Sequence, residues 1–586
     1  MTSLPHTSYR WLGSFPVLAC GALLAACSSA TGGNALGTGG SPGTGGSSGT
    51  GGFPGTGSSP GTGGSGFDAG AGTGGGKGGG VPQTCAQALE QQSYIGCEYW
   101  PTVTSNSSVD NNFQFAITVA NPTAAPADVR VERAGQQVAQ ASVAPGQLQT
   151  MTLPWVPQLK QQSSAMTSVL LAGGGYKISS TVPITLYQFN PLEFQIAPAP
   201  PSCDKNGTDG CYSFTNDASL MLPTTALRKE YFVVTYPTFH IGQSLLGSTT
   251  WGDAPGFVAI TATQPNTTVQ FTSSSHVRAG TGVQAMTPGQ VQTLTLQNAG
   301  DVVMIGSGKL PPQRTDEPNK PCATQNNGGV NVIMCPTPKE YDLTGSFISA
   351  SAPVSVVAGH DCTFIPFSRF ACDHIEESMF PVEALGKDLV VTAPANVAAA
   401  KSGGQTPDNM FVRVLSAADD NKIVFDPAVH GEVTLNKGQW IEIGPVTQDF
   451  HVKAQDKILV AQFMVGENFS GSSAGAGDPS ESVAIPTEQY RLSYTFLAPT
   501  TYTYNLVNVV APPGATINID GQPIPASEFT PIGSSGLSVA RHKIPGGAHQ
   551  MTGSANFGIV VYGYGSYTSY MYPGGLNLET IVIDPR

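Results

Sequence analysis

The stretch Gly345–Pro394, GSFISASAPVSVVAGHDCTFIPFSRFACDHIEESMFPVEALGKDLVVTAP, holds the end of one repeat, a junction and the start of the next. Ser346–Ser349 and Val354–Val357 read as two short strands joined by a turn at Ser351-Ala352-Pro353, because proline fixes φ and cannot donate to a central ladder. A loop bounded by Cys362 and Cys372 follows, with His360, Asp361, Asp373, His374, Glu376 and Glu377 crowded at its neck. Pro381 and a Val-rich run to Pro394 then open another strand.

Working outward, the opening phrase PVEALGKDLVVTAP (Pro381–Pro394) recurs as PTEQYRLSYTFLAP (Pro486–Pro499) and, one residue longer, as PTTALRKEYFVVTYP (Pro223–Pro237). The closing pair of strands recurs over Ile178–Tyr187, Ile348–Val357, Val452–Ala461 and Met551–Tyr562, each read as a hairpin about a polar turn. Between opener and closer the segments alternate with period two and are punctuated by Gly, Pro and Asn, as in Phe257–Ala262 and Met410–Leu415. The fold class is therefore all-β: four tandem related β-sandwich-like modules at residues 82–200, 201–362, 363–470 and 471–586. Four equal units also permit a four-bladed, propeller-like arrangement, against which stand about six strands per unit where a blade has four.

The "AGH-C" strand end, the short loop and the "C-D-H-hydrophobic-E" segment that precede Pro381 give the chain a family likeness. It resembles the N-terminal domain of the IgGFc-binding protein family, closely from about Ser219 to Gly466. The Tyr-Gly-Tyr-Gly and Tyr-Pro-Gly-Gly phrases near the C-terminus are similar to bacterial lipoprotein members of that group. The resemblance implies a non-enzymatic role, binding or adhesion to an extracellular protein or glycan at a surface or in a mucus-like matrix. It carries no residue motif for contact with immunoglobulin.

The N-terminus points to export. Arg10 flanks an apolar run, Leu12–Ala26, and Leu24-Ala25-Ala26-Cys27 has the form of a bacterial lipobox, so residues 1–26 read as a lipoprotein signal peptide with lipid on Cys27. Ser28 after that cysteine suggests an outer-membrane destination by likeness to lipoproteins generally, facing the cell exterior or the periplasm, with the lipid as the membrane attachment. Residues 27–81 are almost entirely Gly, Ser, Thr, Pro and Ala. Nothing there is worth burying against the entropy of ordering it, so the segment reads as a disordered tether, about 50 residues with a typical span of about 40 Å. Its Gly-x-Gly-x-x-Gly matches follow no strand, and Lys77 lacks the Ser or Thr that a phosphate loop needs.

Charged residues make up only 11% of the chain, against roughly 25% in ordinary soluble domains. The formal charge of −13 excludes nucleic acid as a partner, since phosphates require a basic footprint. Setting aside Cys20 and Cys27, the remaining cysteines pair by proximity as Cys85 with Cys97, Cys203 with Cys211, Cys322 with Cys335, and Cys362 with Cys372. Oxidised pairs agree with an exported protein.

Three residue groups are candidate sites. A Cys362–Cys372 bond would bring His360 and Asp361 near Asp373 and His374, imidazoles and carboxylates suited to Zn²⁺, and these residues centre the alternative reading of a metal-dependent hydrolase. The loop DKNGTDG offers Asp204, Asn206 and Asp209 as alternating oxygen ligands for Ca²⁺, without the rest of an EF-hand. Tyr562, Tyr564, Tyr567, Tyr570 and Tyr572 alternate with small residues, as on edge strands and on protein- or glycan-binding faces. Gly477-Asp478-Pro479-Ser480 reads as a turn, and no nucleophile elbow occurs, so no catalytic residue is assigned.

Overall fold

The computed structural model describes residues 80–581, apart from 162–165, 197–210, 246, 312–320, 328–329, 370, 468 and 471–475. The lipobox, the tether, Cys203 and the Asp204, Asn206 and Asp209 loop therefore lie outside the described residues.

The organising element of each module is one long strand rather than a hairpin. In the first module Tyr176–Phe189 pairs through its first half with Gly96–Tyr99 and Ala127–Arg133, and through its second half with Phe115–Ala120 and Ala218–Met221. Phe450–Met464 and Gly547–Gly565 repeat this in the third and fourth modules. The expected hairpin at each closer is thus corrected to a strand that crosses from one sheet of a sandwich to the other. The polar residues read as a turn mark the crossing: each half finds partners in a different sheet and never folds back on the other. In the second module the crossing breaks the strand, giving Phe347–Ala350 and Val354–Thr363 on either side of Ser351-Ala352-Pro353. The first halves carry partly exposed positions, whereas Ile184–Phe189, Leu459–Met464 and all of Val354–Thr363 are buried. Strands enclosed on both faces read as continuous apolar runs.

The last strand of each unit is hydrogen-bonded to the long strand before it, so each module runs one strand past the borders at 200, 362 and 470. These inner strands, Ala218–Met221, Asp373–Ser378, Glu481–Val483 and Thr568–Pro573, adjoin one another in cyclic order. The sandwiches are therefore set in a propeller-like ring with the inner strands about the axis. The C-terminal segment closes it: Tyr94 N–H donates to the Leu576 carbonyl at 3.1 Å, and Leu578 N–H to that of Gln92 at 2.7 Å.

The openers stack around one face of the ring. At the junction of modules three and four, a Cβ on Gly386 would lie 2.5 Å from Pro486 Cβ, so only glycine lets the next opener seat there. A buried tyrosine locks three of the crossings. The backbone N–H of Gly96, Arg228 and Arg491 donates to the hydroxyl oxygen of Tyr99, Tyr231 and Tyr494, three residues on. Those hydroxyls bond the carbonyls of Ile184, Val354 and Phe557 in the crossing strands. In the third opener Leu389 stands in the same place and is buried.

The second module carries an added four-stranded sheet, Phe239–Leu245, Ser248–Ala254, Ala323–Asn327 and Val330–Cys335. Phe239, Ile241, Val332 and Met334 pack it onto Cys362 and Phe364. Cys322–Cys335 and Cys362–Cys372 are bonded at the edges of this unit, and Cys85–Cys97 ties the start of the first module. Cys211 is also disulfide-bonded. Among the described residues no helix is long and apolar enough to cross a membrane.

Candidate functional site

Six buried carboxylates converge on the inner strands, and they come from three modules: Asp217, Asp373, Glu376, Glu377, Asp478 and Glu481. Asp217 is their hub. Its Oδ1 accepts from Ala218 N–H, the Ser480 hydroxyl and Met571 N–H at 2.9, 2.6 and 3.3 Å, and its Oδ2 from Glu376 N–H and Glu481 N–H, each at 3.1 Å. One side chain thus bonds the backbone of all four inner strands. Burial pushes its carboxyl well above the usual range, against the pull of those donors.

The neighbouring acids are less well served. Glu377 accepts from Leu220 and Ser378 N–H through Oε1 and has no partner for Oε2; Asp373 accepts from Thr568 through Oδ2 and has none for Oδ1. Both oxygens of Glu481 are buried without a hydrogen-bond partner. Desolvation raises the pKa of Asp373, Glu377 and Glu481 well above the carboxylate range, and that of Asp478 to about 7. Arg413, whose charge reaches Glu481, is bonded to Asp342 at 2.7 Å and Glu442 at 3.0 Å. An axis of this kind favours protonated carboxyls at neutral pH, and its chemistry is that of holding strands together.

His360, Asp361, Asp373 and His374 are all buried here, but they do not form one metal site. His360 uses both ring nitrogens on backbone, Nε2 on the Pro237 carbonyl at 3.0 Å and Nδ1 on Cys362 N–H at 3.1 Å. Burial lowers its pKa to about 3, so it stays neutral and has no free lone pair. Asp361 accepts from the Ser105 and Ser107 hydroxyls, both at 2.7 Å. Asp373 and His374 follow each other on a strand and point to opposite sides, Asp373 to Thr568 and His374 to Glu376 at 3.3 Å. Among the described residues no group of three or more His, Cys, Asp or Glu is placed to hold a metal ion. The expected Zn²⁺ cluster is corrected accordingly, and the hydrolase centred on His360 and His374 loses its geometric basis.

The tyrosine face is also corrected. Tyr562, Tyr564, Tyr570 and Tyr572 are at most 2% exposed, and their hydroxyls bond Asn508, the Ala395 carbonyl, Asn505 and the Leu497 carbonyl. Module packing covers both faces of these strands, so the rings are core. Tyr567 is half-buried, edge-on to Phe214 at 6.0 Å. The turn expected at Gly477–Ser480 is an irregular stretch instead, with Gly477 at φ +86°, and it delivers Asp478 to the axis.

Asp217 and Glu481 escape a reading that searches one loop at a time. Their signal is a repeat directly before each opening proline: DASLMLP, IEESMFP, SESVAIP and YTSYMYP, ending at Pro223, Pro381, Pro486 and Pro573. The fourth copy ends the last module, and the chain then runs on to pair with Gln92–Tyr94 beside the first opener.

Residues 217–563 match the sequence model of the family described as IgGFc binding protein. The matched span begins at Asp217 and takes in the second and third modules and most of the fourth. No curated protein and no solved structure matches.

Proposed function

The chain belongs to the IgGFc-binding protein family, and from that premise we propose that it is a lipid-anchored surface protein that binds an extracellular protein or glycan. The carrying observation is the family match, which spans more than half the chain and is that of a binding family. The Leu24–Cys27 lipobox supports anchoring through Cys27, with outer-membrane placement suggested by Ser28. The Gly-rich stretch to residue 81 would hold the ring away from the bilayer and let it search. Immunoglobulin is one probe among others rather than the assigned ligand.

The test is adhesion by cells that display the full chain. Such cells should bind immobilised mucin or immunoglobulin G saturably, while cells lacking the gene do not. Equal binding by both cell types on both surfaces overturns the binding reading. A Cys27→Ala chain should leave the membrane fraction; its retention there removes the lipid anchor from the proposal.

A further inference from the structure

Within electrostatic reach of the added sheet of the second module lies a buried guanidinium whose two terminal nitrogens have nothing to bond. Arg278 is 5% exposed; its Nε donates to the Ser307 carbonyl at 2.6 Å, and neither terminal nitrogen has a hydrogen-bond partner. Leaving such donors unpaired in the interior is costly, so a position of this kind is built for an acceptor. Asp253 and Asp361 lie within electrostatic reach, yet burial still lowers the pKa of Arg278 to about 10. It remains a cation at neutral pH.

A second unpaired group stands beside it. His240 is 1% exposed, its Nδ1 is 2.5 Å from Asp253 Oδ1, and its Nε2 has no partner. Asp253 accepts from Nδ1–H, and in that tautomer Nε2 is an acceptor. Asp253 thereby links the two groups, bonded to the imidazole and close to the guanidinium. Ser307 links them again, since its hydroxyl meets that of Thr238 at 2.6 Å, two residues before His240. Trp251 lies flat on the imidazole, centroids 4.6 Å apart and planes 3° from parallel. Gly242, opposite Trp251 in the strand pair, makes this possible, because a Cβ there would lie 2.9 Å from the indole. Trp251, itself partly exposed, holds the imidazole in place by this stacking.

The two unpaired groups ask for one kind of ligand. A forked, charged donor set matches a carboxylate, and an imidazole acceptor matches a hydroxyl. We propose that Arg278 and His240 form a binding site for a carboxylate that carries a neighbouring hydroxyl, as in a uronic acid of a glycan or a free hydroxy acid. This rests on the binding reading above and names the chemistry of the partner.

Calorimetric titration of the full chain decides it. The glycan arm is methyl glucuronide, against methyl glucoside; the free-acid arm is lactate, against acetate. Methyl glucuronide and lactate should bind, acetate more weakly and methyl glucoside not at all, with the stronger arm naming the source. Arg278→Lys keeps the charge but loses the fork and should weaken binding at least tenfold. His240→Phe keeps a ring against Trp251 and should abolish the preference for lactate over acetate, which settles the matter should Arg278→Lys fail to fold. No binding of any carboxylate by the parent chain, or equal binding by parent and variants, overturns the site. Adhesion without any carboxylate binding overturns the site and leaves the surface-binding reading standing, whereas titration that depends on Arg278 without adhesion does the reverse.

Discussion

Asp217 accepts the backbone N–H of Glu481 at 3.1 Å, although 264 residues separate them. The same carboxylate accepts from Glu376 and Met571 N–H, so the ring is closed at its axis by one side chain as well as at its rim by the C-terminal segment. Asp217→Ala would leave backbone donors of several inner strands buried and unpaired, each costing about 1 to 3 kcal/mol. The expected loss is about 3 to 5 kcal/mol, that of two or three such groups left without a partner. Asp217→Asn should recover part of it, since one acceptor oxygen remains. Thermal unfolding of the alanine variant that coincides with the parent would remove Asp217 as the hub.

The axial acids set a pH dependence. Asp478 rises from 3.8 to about 7, so the folded state holds its proton more tightly than the unfolded chain does. Its contribution is full below about pH 4 and is lost as pH climbs through 7, in all about 4 kcal/mol. Asp217, Asp373, Glu377 and Glu481 shift the same way and extend the fall to higher pH. His360, lowered to about 3, works in the opposite sense, losing stability as pH falls from 6.5 toward 3. Melting temperature against pH should therefore fall less steeply between about pH 4 and 7 in Asp478→Asn, where the four remaining acids still contribute. An unchanged slope in that window counts against a protonated axis.

The sequence was most legible where repetition carried it. Proline spacing at 223, 381 and 486 gave the modules, and period-two alternation gave strands such as Phe257–Ala262, which is Gly256–Ala262 in the structure. The crossings were misread because Ser180-Thr181-Val182-Pro183 and Gln455-Asp456-Lys457 have turn composition, and composition alone cannot distinguish reversal from a change of sheet. The tyrosines near the C-terminus were read as a face for a related reason: alternation with glycine shows which residues share a side, and burial is decided by the neighbouring module. The axial set was half visible. Asp373 and Glu377 stand next to a conspicuous loop, whereas Asp217 and Glu481 join them only through the ring.

Cys362 and Cys372, ten residues apart, close the loop on which the added sheet packs. Opening that bond should cost about 2 to 4 kcal/mol by releasing the unfolded chain. Non-reducing peptide mapping should recover the two cysteines in one linked pair, and a Cys362→Ala/Cys372→Ala chain should melt lower than the parent. Either cysteine found joined to Cys322 or Cys335 would contradict the arrangement of the second module.

The buried tyrosines of the openers form an internal series with its own control. In the second module Tyr231 takes Arg228 N–H and gives its proton to the Val354 carbonyl, both at 2.9 Å, across the break at Pro353. Tyr231→Phe keeps the ring and strips the hydroxyl, leaving two main-chain groups unpaired in the interior. The expected cost is about 2 to 4 kcal/mol. Tyr99→Phe and Tyr494→Phe should behave alike, as their hydroxyls bridge the same two positions. The third module meets the requirement differently. There Leu389 pairs with Val452 and Gly386 with Ile458 in a ladder that bulges between the two, and no hydroxyl stands at the crossing. Leu389→Phe should therefore register only the extra volume of the ring, while the three tyrosine variants lose a bridge; measured against it, a Tyr231→Phe chain of parental stability would show that the ring, and not the hydroxyl, secures the crossing.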